Sequence, residues 1–326
     1  MGIRVAIIGC GYIASACHGP ACVRYAASHP DVELVACCDV DGERAERFRQ
    51  EFGFARAYTD YLEMMWAERP GAVCLCVPPP LAAEMGVRVL ELGVPLLAEK
   101  PPAMTAAEMD RLIEAARTTG TIHQVAFNRR FAPLLIRLRE LLQEHTVRHV
   151  DHTFTRVGRS RGDFATTAIH AVDSLRYLLG CDFESARFGY HEYPSLGKGV
   201  ADYIIDCTFS SGATGHLTVS PVAGTDAERI AVYAAEHTFV ASLNWGVDAP
   251  GRLQHWHEGR PVLDLDAVQH CGTAEDLVVS GFYGEDEAFF DAVQAGRQPA
   301  HDFASARQSV EIMECLRERR REYTRA

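Results

Sequence analysis

No run in this chain reaches the ~18 consecutive apolar residues that a membrane-spanning helix needs. Its first residues enter an apolar strand pattern by residue 3, without the basic segment, apolar core and cleavage site of a secretion signal, so a cytoplasmic protein is expected. The 11 cysteines include no C-x-x-C pair and the 14 histidines no H-E-x-x-H, which removes the commonest redox and zinc signatures. Cys10, Cys17, Cys22, Cys37, Cys38, Cys74 and Cys76 lie in apolar surroundings and read as small buried hydrophobes. His255-Trp256-His257 puts two histidines on one face if it is a strand, yet no metal site is expected. Low-complexity tracts and internal repeats are missing as well, so nothing calls for disorder. Positive charge is in deficit: the net charge of -12 argues against nucleic acid or an anionic membrane as partner.

What is present is an ordinary globular composition, 48% hydrophobic and 23% charged, over 326 residues, enough for two domains with cores of their own. Residues 3 to 8 read as a strand that stops at Gly9-Cys10-Gly11 and turns at Tyr12 into helix-tolerant residues. Two glycines in three positions mark backbone that passes where a side chain would collide. A strand, a tight turn and a helix N-terminus in that order suit a pyrophosphate, and Gly9, Gly11 and Ala14 fit the spacing of the dinucleotide fingerprint. A second apolar run, 32 to 38, stops on Asp39, where such a unit places the acid that binds the adenosine ribose. Val40 and Asp41 supply no cation for a 2′-phosphate, so NAD is expected over NADP. Asp41 reads as the N-cap of the next helix.

Strand and helix patterns continue to alternate: helices near 42–52 and 60–68, a strand at 72–77 closed by Pro78-Pro79-Pro80, a helix near 82–92, a strand at 94–98, a helix at 105–118 and a strand at 121–127. That alternation predicts an α/β fold with a doubly wound parallel sheet and ligands beyond the strand carboxyl ends. From about residue 146 strands dominate, at 148–157, 201–209, 215–220 and 229–234, with one helix near 168–179 and two more near 285–296 and 303–321. The expected division is a cofactor-binding domain at 1–127 and an α+β domain at 128–326 with a large mixed, mostly antiparallel sheet. In the strand at 201–209, Tyr203, Ile205, Cys207 and Phe209 share one face while Ile204 and Thr208 share the other, which predicts a sheet apolar on both sides.

The strand at 94–98 ends in Glu99-Lys100-Pro101. With the glycine loop, with Val-Pro-Pro-Pro before a helix, and with Phe127-Asn128-Arg129-Arg130-Phe131, this resembles the Gfo/Idh/MocA family of glucose-fructose oxidoreductase, inositol dehydrogenase and relatives. The resemblance implies an N-terminal Rossmann domain whose Gly9, Gly11, Tyr12, Ile13, Asp39, Pro78, Glu99 and Lys100 meet NAD. It implies a homodimer or homotetramer through the second domain's sheet. It also implies that Lys100 is catalytic, where a cation stabilises the alkoxide character that develops during hydride transfer; Glu99 would orient the loop or the lysine.

The second catalytic segment of the family, approximately Asp-x-x-x-His-x-x-Asp, is similar to Thr166-Thr167-Ala168-Ile169-His170-Ala171-Val172-Asp173. His170 matches the acid/base of the dehydrogenases and Asp173 the second acid, which would bind substrate or hold the imidazole. Thr166, in the substrate set, stands where the family has its first acid, a departure that removes a carboxylate from the histidine. Three arginines in the preceding loop, Arg156, Arg159 and Arg161, raise an anionic substrate, with Arg159, Arg161 and Arg129 as candidate ligands and Arg130 expected to pair with a carboxylate inside the fold. The expected activity is hydride transfer between nicotinamide and a secondary alcohol or ketone of a sugar, cyclitol or sugar derivative. An NAD-dependent glycosidase without net redox change and a non-catalytic NAD-binding regulator are the alternatives.

Overall fold

Six short segments form a parallel sheet: β1 (Arg4–Ile8), β2 (Glu33–Cys38), β3 (Arg56–Tyr58), β4 (Ala72–Leu75), β5 (Leu96–Glu99) and β6 (His123–Ala126), in spatial order 3-2-1-4-5-6. The computed structural model describes residues 2–160 and 162–325. Between the strands run α1 (Gly19–Ser28), α2 (Gly42–Phe52), α3 (Tyr61–Glu68), α4 (Pro79–Glu91) and α5 (Ala106–Thr119). Their ends follow local chemistry. Asp41, Asp60 and Thr105 each accept a backbone N–H as N-cap, and Gly53 and Gly120 close α2 and α5 in the left-handed conformation.

The helix after the glycine loop departs from regular geometry. It begins at Tyr12 as expected, but Ala14–His18 is a π-turn before α1. Pro20, in the first turn of α1, has no N–H to return to the preceding turn, which accounts for the widening.

The second sheet is built from β7 (Val147–Thr155) onward. After α6 (Pro133–Leu142) and β7 come α7 (Ala165–Leu179), β8 (Phe183–Glu192), β9 (Ala201–Phe209), β10 (Thr214–Ser220), β11 (Ala227–Ala234), β12 (His237–Ser242), β13 (Arg252–His257) and β14 (Arg260–Asp266). The short helices α8 (Ala267–Cys271) and α9 (Asp276–Val279) follow, then α10 (Phe282–Gln294), α11 (Phe303–Arg317) and β15 (Glu322–Thr324). The nine strands take the order 14-13-12-11-7-10-9-8-15, antiparallel except for β7 beside β10. The mixed, mostly antiparallel sheet is therefore as expected, but β8, β12, β13, β14 and β15 extend it beyond the strands read from the pattern.

Two expectations need correction. The chain divides into two units, and the first comprises 1–127 together with 282–310, so the second is not a continuous 128–326. The cause is α10, whose Phe289 and Phe290 are fully buried in the core of the first unit, Phe290 against the Tyr25 ring at 5.0 Å. The second concerns the large sheet, which is apolar on one side only. Opposite Tyr203, Ile205, Cys207 and Phe209, β9 carries Asp202, Ile204, Asp206 and Thr208, and β10 carries Thr214, His216, Thr218 and Ser220. Asp206 bonds His216 at 2.7 Å and Thr208 bonds Ser185 at 2.8 Å, so polar pairs across strands occupy the face that the sequence pattern left to hydrophobic contact.

Candidate functional site

In the first unit, Gly9 and Gly11 have different reasons to be glycine. Gly9 has φ +93°, and a Cβ there would lie 2.3 Å from the Cys76 carbonyl oxygen, so the turn itself forbids a side chain. At Gly11 a Cβ would meet nothing within 4 Å. The protein does not need that glycine for its own packing, and the open position leaves room for a ligand over the loop. The open space belongs to a cleft of about 630 Å³ at the carboxyl ends of β1, β2 and β4, lined by Gly9, Gly11, Tyr12, Ile13, Asp39 and Pro78 among others. The switch point of a 3-2-1-4-5-6 sheet is where dinucleotides bind, and these residues fit that ligand. Tyr12 is 86% exposed, leaving its ring at the lip of the cleft. Glu99 and Lys100 lie outside that lining.

Arg44 is the residue that sequence reasoning missed. Its guanidinium donates to both Asp39 oxygens, at 3.2 and 3.4 Å, and to Asp41 at 3.1 Å, and it lines the same cleft. Asp39 also accepts from the N–H groups of Cys10 and Asp41, each at 2.9 Å. Val40 and Asp41 supply no cation, as expected, but Arg44 brings one beside the ribose acid. The signal was present, because the N-cap at Asp41 places Arg44 in the first turn of α2 and turns it back toward Asp39.

At the end of β5 the Glu99 carboxylate is held on both sides. One oxygen accepts the Lys100 backbone N–H at 2.8 Å; the other lies 3.1 Å from His18 Nε2, while His18 Nδ1 faces Asp286 at 2.9 Å. The π-turn delivers His18 to this place. Burial alone would lower the His18 pKa, but the Asp286 carboxylate raises it well above the usual histidine value. Burial likewise opposes ionisation of Glu99, yet His18 and Lys100 hold its pKa below the ordinary glutamate value. The result is a buried imidazolium between two acids under the Glu99-Lys100 turn.

In the second unit a buried charge cluster surrounds His170, on α7. Arg129 donates to Glu228 at 2.5 and 3.2 Å, to Asn128 at 2.8 Å, and approaches His170 Nε2 at 3.3 Å. Arg156 also pairs with Glu228, and both guanidiniums lie over the Trp245 ring, at 5.0 Å for Arg129 and 4.4 Å for Arg156. Burial favours a neutral Glu228, but the two arginines keep its pKa below normal. Asp173 pairs with Arg130 through both oxygens, at 2.8 and 2.6 Å. The carboxylate partner expected for Arg130 is thus the same acid that was expected to meet substrate or imidazole.

The remaining substrate candidates separate. Thr166 lies in the first turn of α7 and its hydroxyl donates to the Asp163 carbonyl at 2.7 Å, a local bond of a helix N-terminus. Arg159 is exposed, with its backbone N–H on the Pro221 carbonyl at 2.8 Å. Arg161 lies outside the described residues. Glu228 pairs with both Arg156 and Arg129 and offsets one of their two charges, so the cluster offers an anion less positive charge than its sequence implies.

His152, on β7, is fully buried, and its Nδ1 donates to the Ala171 carbonyl at 3.3 Å. Burial outweighs the nearby Glu228 and pushes its pKa down to about 4. The unfolded chain protonates this side chain near pH 6.5, the folded one only near 4. Its contribution is therefore intact above pH 6.5 and lost as the pH falls toward 4, amounting to about 3 kcal/mol. Urea unfolding across that range is expected to show the decline in the wild type, and His152→Gln to flatten it. An equal slope in the variant would assign the decline to other groups.

Residues 3–127 match the model of the GFO_IDH_MocA family, an oxidoreductase family with an NAD-binding Rossmann fold. The chain is 30% identical over 194 residues to D-glucoside 3-dehydrogenase of Escherichia coli, a match covering 55% of this chain and 54% of the relative. It is 27% identical over 223 residues to myo-inositol 2-dehydrogenase of Thermotoga maritima, covering 63% of this chain and 66% of the relative. The chain thus spans between half and two thirds of the length of these curated relatives. An oxidoreductase domain protein of Kribbella flavida has the same fold, with a TM-score of 0.84 and 19% identity over 99% of both chains. Among the described residues no helix is long and apolar enough to cross a membrane.

Proposed function

We propose that this chain, whose residues 3–127 match the model of the Gfo/Idh/MocA oxidoreductase family, transfers a hydride between NAD(H) and a secondary alcohol or ketone of a sugar, cyclitol or sugar derivative. The observation that carries the reading is the open position over Gly11, a glycine kept for a ligand at the mouth of the dinucleotide cleft. The nicotinamide, when bound, accepts or supplies the hydride. Lys100 polarises the reacting oxygen, and its backbone is fixed by Glu99. His170 exchanges the hydroxyl proton. The curated relatives act, by name, on a glucoside and an inositol, which supports the substrate class. The test is a screen of sugars, inositols, sugar acids and amino sugars with NAD and NADH, followed at the nicotinamide absorbance. Net NADH formation with one class supports the proposal; absence of turnover across all four, with NAD bound, overturns it.

The cofactor preference belongs to the same reading. Arg44 faces two carboxylates, Asp39 and Asp41, so the pocket beside the ribose keeps a net negative charge and favours NAD over NADP. Asp39→Ala removes one of them and frees Arg44 for a 2′-phosphate. We expect the wild type to bind NAD more tightly, and the variant to shift the ratio of dissociation constants toward NADP by on the order of tenfold or more. Fluorescence titration with each dinucleotide measures both. Equal constants in the wild type would remove this assignment.

A further inference from the structure

The four histidines of the β12–β13 region have no part in the proposed hydride transfer. His237 and Phe239 on β12 stand on the same face as His255 and His257 on β13, because the register pairs His237 with His257 and Phe239 with His255. His145, in the loop between α6 and β7, lies against them, its ring 4.2 Å from that of His237. We propose that His145, His237 and His255 bind one zinc-class divalent ion.

Three ring nitrogens, one from each residue, lie within 4.8 Å of one another. The closest pair is His237 Nδ1 and His255 Nε2 at 2.9 Å. A hydrogen bond explains two converging nitrogens; the third, from a loop more than ninety residues away, is what a ligand set adds. Tetrahedral Zn²⁺ with Zn–N bonds of about 2.0–2.1 Å separates its nitrogens by about 3.3 Å, so a small outward rotation of His237 and His255 makes room for the ion. His237 then carries its proton on Nε2, and the hydrogen shared between the two rings moves there with no net proton released. The fourth position is left to water, since His145 and His237 are only half-buried.

The surroundings hold the rings in place. Phe239, fully buried, stacks on His255 at 4.1 Å, and His257 stacks on His237 at 4.1 Å. Imidazole sets of this kind suit zinc, nickel and copper rather than calcium or magnesium. No sequence motif announces the site, because its ligands come from positions 145, 237 and 255 instead of a short spacing, which is why none was expected. Its effect would be to tie the loop after α6 to the β12–β13 hairpin.

The experiment uses the full chain without an affinity tag, stripped with a chelator and titrated with Zn²⁺ by calorimetry and with Co²⁺ by visible absorption. The expected result is one ion per chain, a raised thermal midpoint, and cobalt bands of a tetrahedral nitrogen-ligated site. His145→Ala and His237→Ala should each weaken binding by about tenfold or more, while His257→Ala, which removes a stacked ring outside the ligand set, should leave the stoichiometry at one. His145 lies outside the strands, so its variant reports on ligation even if the β12 variant folds poorly. No saturable binding, or binding that survives His145→Ala unchanged, overturns the proposal.

Discussion

Replacing His170 by alanine is expected to lower kcat by about 10² to 10⁴, the range that general acid/base catalysis supplies, with little change in the NAD dissociation constant. The division follows from position: the dinucleotide cleft is lined by residues of the first unit, while His170 belongs to α7 in the second. In place of the acid that the family pattern puts four residues earlier, this chain has Thr166, whose hydroxyl is committed to the Asp163 carbonyl. A charged group beside His170 is the Arg129 guanidinium, which donates toward Nε2 and so favours an imidazole with its proton on Nδ1. Steady-state kinetics of His170→Ala with the best substrate of the screen, together with NAD titration, separates the two quantities. Near-normal turnover would show that the proton is handled elsewhere.

Glu228→Gln is expected to cost about 3–5 kcal/mol of stability, because it leaves the Arg129 and Arg156 guanidiniums buried without the carboxylate that pairs with both. Glu228 is 1% exposed and its pair with Arg129 is as deeply buried, so solvent screening does not soften the loss. Urea unfolding measures it. A loss no larger than that of an exposed pair such as Arg307 with Asp110 would mean that the cluster relaxes or takes up water. The same substitution loosens Arg129 beneath His170, so its activity is expected to fall further than its folded fraction at assay temperature.

What the sequence made legible is what neighbouring residues encode. The β1 turn, the Asp39 terminus of β2 and the Asp41 cap each depend on a few consecutive positions, and all three are found where expected. Arg44 is equally local, but it meets Asp39 only through the first turn of α2 and not as one of the two residues that follow the acid. The Arg129–Glu228 pair joins residues 99 apart, and nothing near either one announces the other. Asp173 and Arg130 were both singled out, but for different partners; that they meet each other follows from α7 packing near the segment after β6, which no periodicity reveals. Strands β12 to β14 lack the clean apolar alternation of β9, and the His-Trp-His run of β13 gave the hint of them.

The return of residues 282–310 to the first unit sets an order of events during synthesis. The ribosome releases β1 to β6 early, and the parallel sheet has all its strands by residue 126. It does not yet have its full interior. His18 waits for Asp286, which lies 268 residues further along, and Phe289 and Phe290 arrive only with α10. At roughly 5–20 residues per second, that gap keeps a buried imidazole without one of its two counter-charges for on the order of ten seconds to a minute. The nascent N-terminal half therefore passes through a stage in which its sheet is complete and one wall of its core is still missing. A fragment ending at residue 127 would remain at that stage, with the apolar surface meant for α10 open to other chains.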